Sequence, residues 1–148
     1  MFTKATEYAL RATIYIAANS SGSKRLGIDE IAAAIGSPRS FTAKVLQLLC
    51  RNNTPVSSNK GPGGGFYITE EARKKPVKTI LEAMGEGGVL SKCVLGLPKC
   101  SDKKPCPMHH EYRFIKARLL HLFDTTSIGE LSKDSHLSNV YLKGKVET

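Results

Sequence analysis

The chain has 148 residues and a formal net charge of +9, with 22 Lys and Arg against 13 Asp and Glu. This length is enough for one domain with an extension, and it is too short for two full-sized domains. No apolar run approaches the ~20 residues that cross a bilayer, and the start lacks the apolar stretch of a signal peptide, so a cytoplasmic protein is expected.

Basic residues are in excess mainly in the first half of the chain. Residues 1–76 hold 11 Lys and Arg against 5 Asp and Glu, whereas residues 77–148 hold 11 against 8. Such an excess favours a polyanionic partner such as nucleic acid, although charge alone does not prove one. All four histidines and three of the four cysteines lie in the second half. The sequence therefore separates a basic module from a ligand-rich one.

Apolar periodicity predicts three helices in the first 51 residues. The first covers about residues 3–19, and the second covers about residues 28–35 and ends at Gly36. For the third helix, Ser37 is the expected N-cap, Pro38 suits the first helical position, and Arg51 lies near the end. The second and third helices, joined by a tight glycine-containing turn, have the outline of a helix-turn-helix.

The second helix of such a motif presents its N-terminal residues to the major groove of DNA. Arg39 and Lys44 can neutralise phosphate or read guanine, and Ser40 can hydrogen-bond a phosphate or a base edge. The alternative is an ordinary solvated helix face, because helical hairpins without a DNA function are abundant. The candidate DNA-reading residues are Pro38, Arg39, Ser40, Ala43 and Lys44.

A glycine-rich loop lies between two short strand candidates at residues 56–58 and 66–68. The loop reads Asn-Lys-Gly-Pro-Gly-Gly-Gly, which predicts a β-hairpin that serves as the wing of a winged helix. Lys60 in this loop is suited to contact phosphate or enter a minor groove. A nucleotide-binding loop is disfavoured, because the lysine-serine end of a P-loop and the glycine spacing of a dinucleotide fingerprint are both missing.

The second half of the chain carries the cysteines. A short helix is predicted at about residues 76–84, and a longer one from after Pro107 to about Asp124, with an apolar stripe of the kind that usually packs in a core. Cys93, Cys100 and Cys106 lie between them, and His109 follows at ligand spacing. In a reducing compartment, such a group more often binds metal or an iron-sulfur cluster than forms disulfides.

Four other residues with ligand chemistry are expected to lie outside this group. Cys50 on the third helix fits a buried structural thiol, because it lies beside two leucines. His110 would point about 100° away from His109 on a helix and is expected to be solvated. His121 and His136 have no ligand partners nearby in the sequence and fit surface or packing positions.

Three segments resemble the Rrf-type winged-helix transcriptional regulators of bacteria. They are residues 3–11 (Thr-Lys-Ala-Thr-Glu-Tyr-Ala-Leu-Arg), the helix containing Ile31 and Ala32, and residues 60–66 (Lys-Gly-Pro-Gly-Gly-Gly-Phe). The resemblance covers the chain from Phe2 to about Leu131. One departure is the segment from Asn52 to Val56, which replaces the more usual short turn into the wing.

The resemblance implies a mainly α fold with a small β-hairpin, in which a winged helix-turn-helix is followed by a long C-terminal dimerisation helix. A homodimer would bind a palindromic operator in double-stranded DNA through the third helix and the wing, with Lys60 and Pro62 at the wing tip. The expected division is a DNA-binding domain at 1–75, a cysteine loop with the dimerisation helix at 76–135, and a loosely ordered tail at 136–148.

The resemblance also implies an iron-sulfur cluster, because the three cysteines of the loop occur where the cluster-binding members have their thiolates. The fourth ligand is open. His109 matches the Cys-x-x-His pattern of one branch and would favour a two-iron cluster within one subunit, which is the preferred assignment. Glu7 matches an acidic ligand of the nitric-oxide-sensing branch, and its donation by the partner subunit would favour a four-iron cluster. Glu7 equally suits the N-terminal end of a helix.

The function expected is that of a DNA-binding regulator, with repression favoured, whose operator affinity follows a cluster that responds to redox conditions, nitric oxide or iron-sulfur status. A regulator of the same fold with structural zinc or with directly redox-active thiols is the alternative. A small electron carrier would leave the basic helix and the wing without a purpose. An enzyme is not expected, because no nucleophile, base and orienting group occur at persuasive spacing.

Overall fold

The structure, a computed structural model, describes residues 1–134 and 142. Helices dominate the described part, and one antiparallel hairpin accompanies them, which confirms the predicted fold class. No described helix combines the length and apolar character that crossing a membrane requires. The predicted loose tail lies, apart from residue 142, outside the described residues. The elements are α1 (Lys4–Asn19), α2 (Ile28–Ile35), α3 (Arg39–Leu49), β1 (Ser57–Asn59), β2 (Gly65–Tyr67), α4 (Glu70–Arg73), α5 (Lys78–Ala83), α6 (His109–Thr125) and α7 (Ile128–Asp134), with 3-10 turns at Arg51–Asn53 and Val89–Ser91.

The predicted boundaries of the first three helices are correct to within two residues, but the predicted N-cap of α3 is wrong. Pro38, and not Ser37, occupies the cap position, because its extended backbone (φ −57°, ψ 143°) places it outside the helix. Ser37 is buried instead, and its hydroxyl donates to the carbonyl of Pro38 at 3.4 Å. Gly36 ends α2 in the left-handed conformation that glycine adopts without strain.

A single hydrophobic core joins α1, α2 and α3. Ile16, Ile31 and Leu46 are fully buried, one from each helix, so the three apolar stripes read from the sequence face one another. The same core contains Val77 and Ile80 near and in α5 and Ile128 in α7. Segments on both sides of the cysteine loop are therefore packed against the first three helices of the chain.

The wing is a two-stranded hairpin in which Ser57 pairs with Tyr67. Leu26, which precedes α2, exchanges both backbone hydrogen bonds with Phe66 of β2, at 2.8 and 2.9 Å, and so attaches the hairpin to the helices. A Cβ at Gly64 would lie 2.3 Å from the carbonyl oxygen of Asn59, and one at Gly65 would lie 2.6 Å from that of Leu26. Gly64 is thus required by the backbone of the hairpin, and Gly65 by the close approach of the Leu26 backbone.

Two short helices, α4 and α7, were not predicted as helices from the sequence. Helix α4 has only four residues, too few for apolar periodicity to reveal it, and Thr69 caps it. Ile128 begins the seven-residue helix α7, which follows the long helix predicted to end near Asp124. The backbone N–H of Val77, just before α5, donates to the carbonyl oxygen of Thr126, just after α6, at 2.9 Å. This bond holds the C-terminal end of α6 beside the start of α5.

Candidate nucleic-acid interface and metal centre

The N-terminal end of α3 forms an exposed, basic surface. Pro38, Arg39, Ser40 and Lys44 are exposed and Ala43 is half-buried. The opposite face of α3 is held in the core by Val45, Leu46 and Leu49, among others. Because the buried stripe fixes how the helix is rotated, the predicted DNA-reading residues share the solvent-facing side of the helix.

Arg39 is oriented by a partner on the preceding helix. Its Nε lies 2.7 Å from Oδ1 of Asp29, the second residue of α2, and both side chains are mostly exposed. An exposed ion pair contributes little to stability, but it restricts the side chain of Arg39 to fewer conformations. Asp29 was not identified from the sequence as a functional residue. The sequence shows only that an acidic residue precedes Arg39 by ten positions.

The wing loop places Lys60 and Pro62 in solvent, at the end of the hairpin away from the core. Behind the loop, Arg25 lies over the ring of Tyr67, with 5.0 Å from its guanidinium carbon to the ring centroid. With the Asn59 amide oriented to satisfy its neighbours, its oxygen accepts from both terminal nitrogens of Arg25, at 2.8 and 3.0 Å. Arg25 therefore supports the wing, a role that sequence analysis missed.

The cysteine loop brings the four predicted donors together as two pairs. The Sγ atoms of Cys93 and Cys106 are 3.9 Å apart, and the Sγ of Cys100 lies 3.4 Å from Nδ1 of His109. Cys93 and His109 are buried, and Cys100 and Cys106 are half-buried. Partners that are thirteen and nine positions apart in the chain thus meet in pairs.

His109 is the first residue of α6 and the only buried residue of that helix. Its Nε2 lies 2.7 Å from Oδ1 of Asp102, which in turn lies 3.6 Å from Nη1 of Arg113. The hydrogen bond and the nearby charge of His109 lower the pKa of Asp102, so that its carboxylate form is favoured. Asp102 was not predicted as a site residue, although an acid between Cys100 and His109 was a usable signal.

The electrostatics of the loop lower the pKa of the Cys93 thiol. Backbone N–H groups of Leu97 and Leu95 lower the pKa of the Cys93 thiol, and Cys106 and Lys116 act in the same direction against the effect of burial. The deprotonated form of cysteine is the one that binds metals and reacts with oxidants. Cys50 is in the opposite situation, because burial raises the pKa of its thiol.

The remaining candidate ligands lie apart from these pairs. Glu7, in the first turn of α1, lies 3.7 Å from Nζ of Lys4 in an i, i+3 ion pair. Cys50 is half-buried at the C-terminal end of α3. His110 and His121 are exposed, as predicted. His136 lies outside the described residues.

The donor set fits an iron-sulfur cluster. Three thiols and one imidazole are ligands that such clusters accept, and one of the thiols has a lowered pKa. In the part of the chain that the structure describes, no group of three or more His, Cys, Asp or Glu side chains could hold a metal ion. The four donors instead form two pairs, and a two-iron cluster requires two ligands for each iron.

A helix-turn-helix whose reading helix and glycine-rich wing are both exposed and basic defines a winged-helix DNA-binding protein. The sequence profile of the Rrf2 family, described as iron-dependent transcriptional regulators, matches residues 2–134. The chain belongs to this family, and it is accordingly a DNA-binding transcriptional regulator and not an enzyme.

Known proteins agree with this assignment. The chain is 34% identical over 133 residues to a protein of Aquifex aeolicus named as an HTH-type transcriptional regulator, covering 88% of this chain and 90% of that one. It is 28% identical over 138 residues to the HTH-type transcriptional regulator IscR of Vibrio atlanticus, covering 93% and 78%. The solved structure of CymR, the global cysteine regulator of B. subtilis, superposes with a TM-score of 0.69 at 18% identity, covering 90% of this chain and 96% of that one, which shows the shared fold.

Proposed function

We propose that the protein is a homodimeric repressor whose affinity for a palindromic operator is controlled by an iron-sulfur cluster held in the cysteine loop. The observation that carries the proposal is the gathering of Cys93, Cys100, Cys106 and His109 into two close pairs where α6 begins. The signal is redox state, nitric oxide or iron-sulfur status. Since its target is the bacterial chromosome, the protein acts in the cytoplasm.

The DNA-binding part of the proposal assigns α3 to the major groove and the wing to the adjacent backbone or minor groove. Arg39, Ser40 and Lys44 project from the exposed side of α3, with Pro38 and Ala43 beside them. Lys60 and Pro62 are exposed in the wing loop. Arginine and lysine on α3 supply base and phosphate contacts, and Lys60 adds a phosphate contact, so binding is expected to weaken as salt increases.

The dimer is proposed from the apolar surface of α6. Phe114, Ile115 and Leu122 are 60%, 55% and 54% exposed, which is unusual for large apolar side chains on one helix. Ile115 and Leu122 line one shallow groove together with Leu119. A second copy of α6, related by a two-fold axis, would cover this groove. The α3 helices and wings of the two copies would then face the two halves of a palindrome.

The cysteine loop is joined to α6 in a way that links the cluster to this interface. His109 is both a proposed ligand and the first residue of α6, and Arg113 in its second turn lies 3.6 Å from Asp102 in the loop. An iron-sulfur cluster, when bound, supplies one-electron redox chemistry and reacts with oxidants and nitric oxide. If His109 or Cys106 were lost as a ligand, the start of α6 would no longer be held by the cluster. The distance between the α3 helices of the two subunits would then change.

His109 is preferred over Glu7 as the fourth ligand within one subunit. Its Nδ1 faces Cys100 at 3.4 Å, whereas Glu7 pairs with Lys4 on α1. Glu7 from the partner subunit is the competing assignment, with a four-iron cluster. His109→Ala and Glu7→Ala variants separate the two, because only the variant that removes a true ligand changes the visible spectrum of the cluster.

A second function is favoured by one specific observation. Cys93 and Cys106 are 3.9 Å apart and the pKa of Cys93 is lowered, so the pair is also suited to direct oxidation to a disulfide in a cluster-free regulator. Structural zinc bound by the same thiolates is the related alternative. Metal analysis separates zinc from iron, and mass spectrometry after oxidation detects a disulfide as the loss of two hydrogens.

The decisive experiment is anaerobic purification of the full chain, followed by visible absorption spectroscopy and iron and sulfide analysis. We expect a coloured protein with about two irons and two sulfides per chain. Operator affinity is then measured by gel shift for the wild type and for the variant with Ser at Cys93, Cys100 and Cys106, using Cys50→Ser as the matched control. The triple variant is expected to be colourless and to change operator affinity, whereas the control matches the wild type.

Two results would overturn the sensing proposal. The first is a colourless, iron-free protein after anaerobic purification. The second is an unchanged operator affinity in the triple variant. The DNA-binding part of the proposal would be contradicted if the protein did not bind the promoter upstream of its own gene, or if this binding did not weaken with salt.

A further inference from the structure

Asp102 contacts the proposed cluster site without being one of the proposed ligands. It lies in the loop between Cys100 and Cys106, and its side chain is 78% exposed. Its Oδ1 nevertheless approaches the buried ring of His109 at 2.7 Å. An exposed carboxylate aimed at a buried imidazole restricts how that ring is oriented.

The contact determines which nitrogen of His109 is available to a metal. A carboxylate only accepts hydrogen bonds, so the Nε2–H of His109 donates to Asp102. In the neutral ring the other nitrogen, Nδ1, then keeps its lone pair, and this atom lies 3.4 Å from the Sγ of Cys100. Arg113, at 3.6 Å from Asp102, holds the carboxylate from the α6 side.

The two donor pairs have the spacing of ligands on a common metal ion. In a tetrahedral site with metal–sulfur bonds of about 2.3 Å, two sulfur ligands lie about 3.8 Å apart, and a sulfur and a nitrogen ligand lie about 3.6 Å apart. The observed separations are 3.9 Å for Cys93 and Cys106 and 3.4 Å for Cys100 and His109.

We propose that Asp102 positions His109 so that Nδ1 is its metal-facing atom, and that the cluster is held by two distinct ligand pairs, Cys93 with Cys106 and Cys100 with His109. This inference rests on the proposed iron-sulfur cluster and assigns its four donors to the two irons. Asp102 is a positioning residue, because it acts through His109.

The two pairs would offer the irons of a bound cluster different ligands. Cys93 and Cys106 would supply two anionic thiolates, whereas Cys100 and His109 would supply one thiolate and one neutral imidazole. Because an added electron is favoured where there is less negative charge, Cys100 and His109 would hold the iron that is reduced. The carboxylate of Asp102 makes the imidazole a stronger electron donor, and removing its charge would raise the reduction potential.

The role of Asp102 is tested first in the cluster-free full-length protein by ¹⁵N NMR of the histidine rings, with His109 assigned from its loss in His109→Gln. We expect a protonated Nε2 protected from exchange and an unprotonated Nδ1. Asp102→Ala should lose the protection, and Glu111→Gln, which removes an exposed acid from the first turn of α6, should match the wild type. A predominant Nδ1–H form, or unchanged protection in Asp102→Ala, would overturn the positioning role.

The pairing is tested by Mössbauer spectroscopy of the ⁵⁷Fe-reconstituted protein after one-electron reduction with dithionite. Cys100→Ser should change the ferrous signal, whereas Cys93→Ser and Cys106→Ser should each change the ferric signal. Asp102→Asn should shift the midpoint potential upward, and Glu111→Gln should leave it unchanged. The reverse assignment of the cysteine variants, or a potential unaffected by Asp102→Asn, would overturn the proposal.

The two experiments also distinguish this inference from the proposed function. A protein that takes up no iron contradicts the cluster and the pairing together, while the NMR measurement still decides whether Asp102 orients His109. A protein that binds the cluster but fails the NMR test leaves the proposed function intact and removes only the inference about Asp102.

Discussion

The winged head, which is the part of the chain from α1 to β2 (residues 4–67), and helix α6 bury their apolar residues in opposite ways. In the head, Ile16, Ile31 and Leu46 are fully buried against one another. Along α6, Ile115 and Leu122 are more than half exposed, and the only buried residue is His109. The head therefore completes its own core within one chain, whereas α6 presents apolar surface that one chain leaves uncovered.

The same contrast holds for the polar groups. In the head, Arg25 is hydrogen-bonded by Asn59 and Arg39 is paired with Asp29. In the cysteine loop, Cys93, Cys100 and Cys106 are gathered in the folded chain without disulfides between them. Under the proposed function, the head would bind DNA through its own folded surface, whereas the cysteine loop and α6 would depend on the proposed cluster and on a second copy.

The largest expected effect is on the stability of the head. Leu46→Ala should lower the free energy of unfolding by about 3 kcal/mol, because it leaves a cavity in a closely packed core. The matched variant Leu122→Ala should cost less than about 1 kcal/mol at protein concentrations low enough to keep the chain monomeric. Urea denaturation followed by circular dichroism measures both, and equal losses would contradict the contrast between the two regions.

The next largest effect is on assembly. Leu122→Glu should weaken the dimer at least tenfold, because it places a charge in the apolar groove of α6. His110→Glu is the control, since His110 is exposed and lies about 120° around the helix from Leu122. Analytical ultracentrifugation gives the dissociation constants, and a dimer that Leu122→Glu leaves intact would move the interface away from α6.

A smaller effect is expected on DNA binding. Lys60→Ala should weaken operator binding several-fold and reduce the slope of log affinity against log salt by about 1, because one phosphate contact is lost. Lys133→Ala, which removes an exposed lysine from α7, is the charge-matched control. Fluorescence anisotropy at several salt concentrations distinguishes a lost contact from a general loss of charge.

The smallest effect is expected at Cys50. Because burial raises the pKa of its thiol, less of it is thiolate at neutral pH, and its alkylation rate should keep rising with pH above the usual thiol range. In the cluster-free protein Cys93, with its lowered pKa, should reach its maximal rate at lower pH. Iodoacetamide labelling followed by mass spectrometry gives both profiles, and identical profiles would contradict the difference between the two environments.

Local signals were strong enough to predict most of the head. The apolar stripes of α1, α2 and α3, Gly36 at the end of α2 and the glycines of the wing each act within a few residues, so they can be read from the chain directly. The N-cap of α3 was missed because Ser37 and Pro38 both suit a helix start, and the extended backbone at Pro38 decided between them. Helix α4 was missed because four residues carry no period.

The candidate site divides in the same way. Spacing and residue type predicted Cys93, Cys100, Cys106 and His109 as candidate ligands, but not how their side chains pair. Asp102, Arg25 and Asp29 were missed because each acts through a contact with a residue that the chain alone does not place beside it.

By itself the sequence determined the class of fold and nominated a basic surface and four candidate sulfur and nitrogen donors, because these follow from residue type and short-range periodicity. The tertiary structure alone decided that the donors meet as two pairs, that Asp102 approaches His109, and that the apolar stripe of α6 faces outward. The physical reason is that distances between side chains, and the burial of a helix face, are properties of the packed chain.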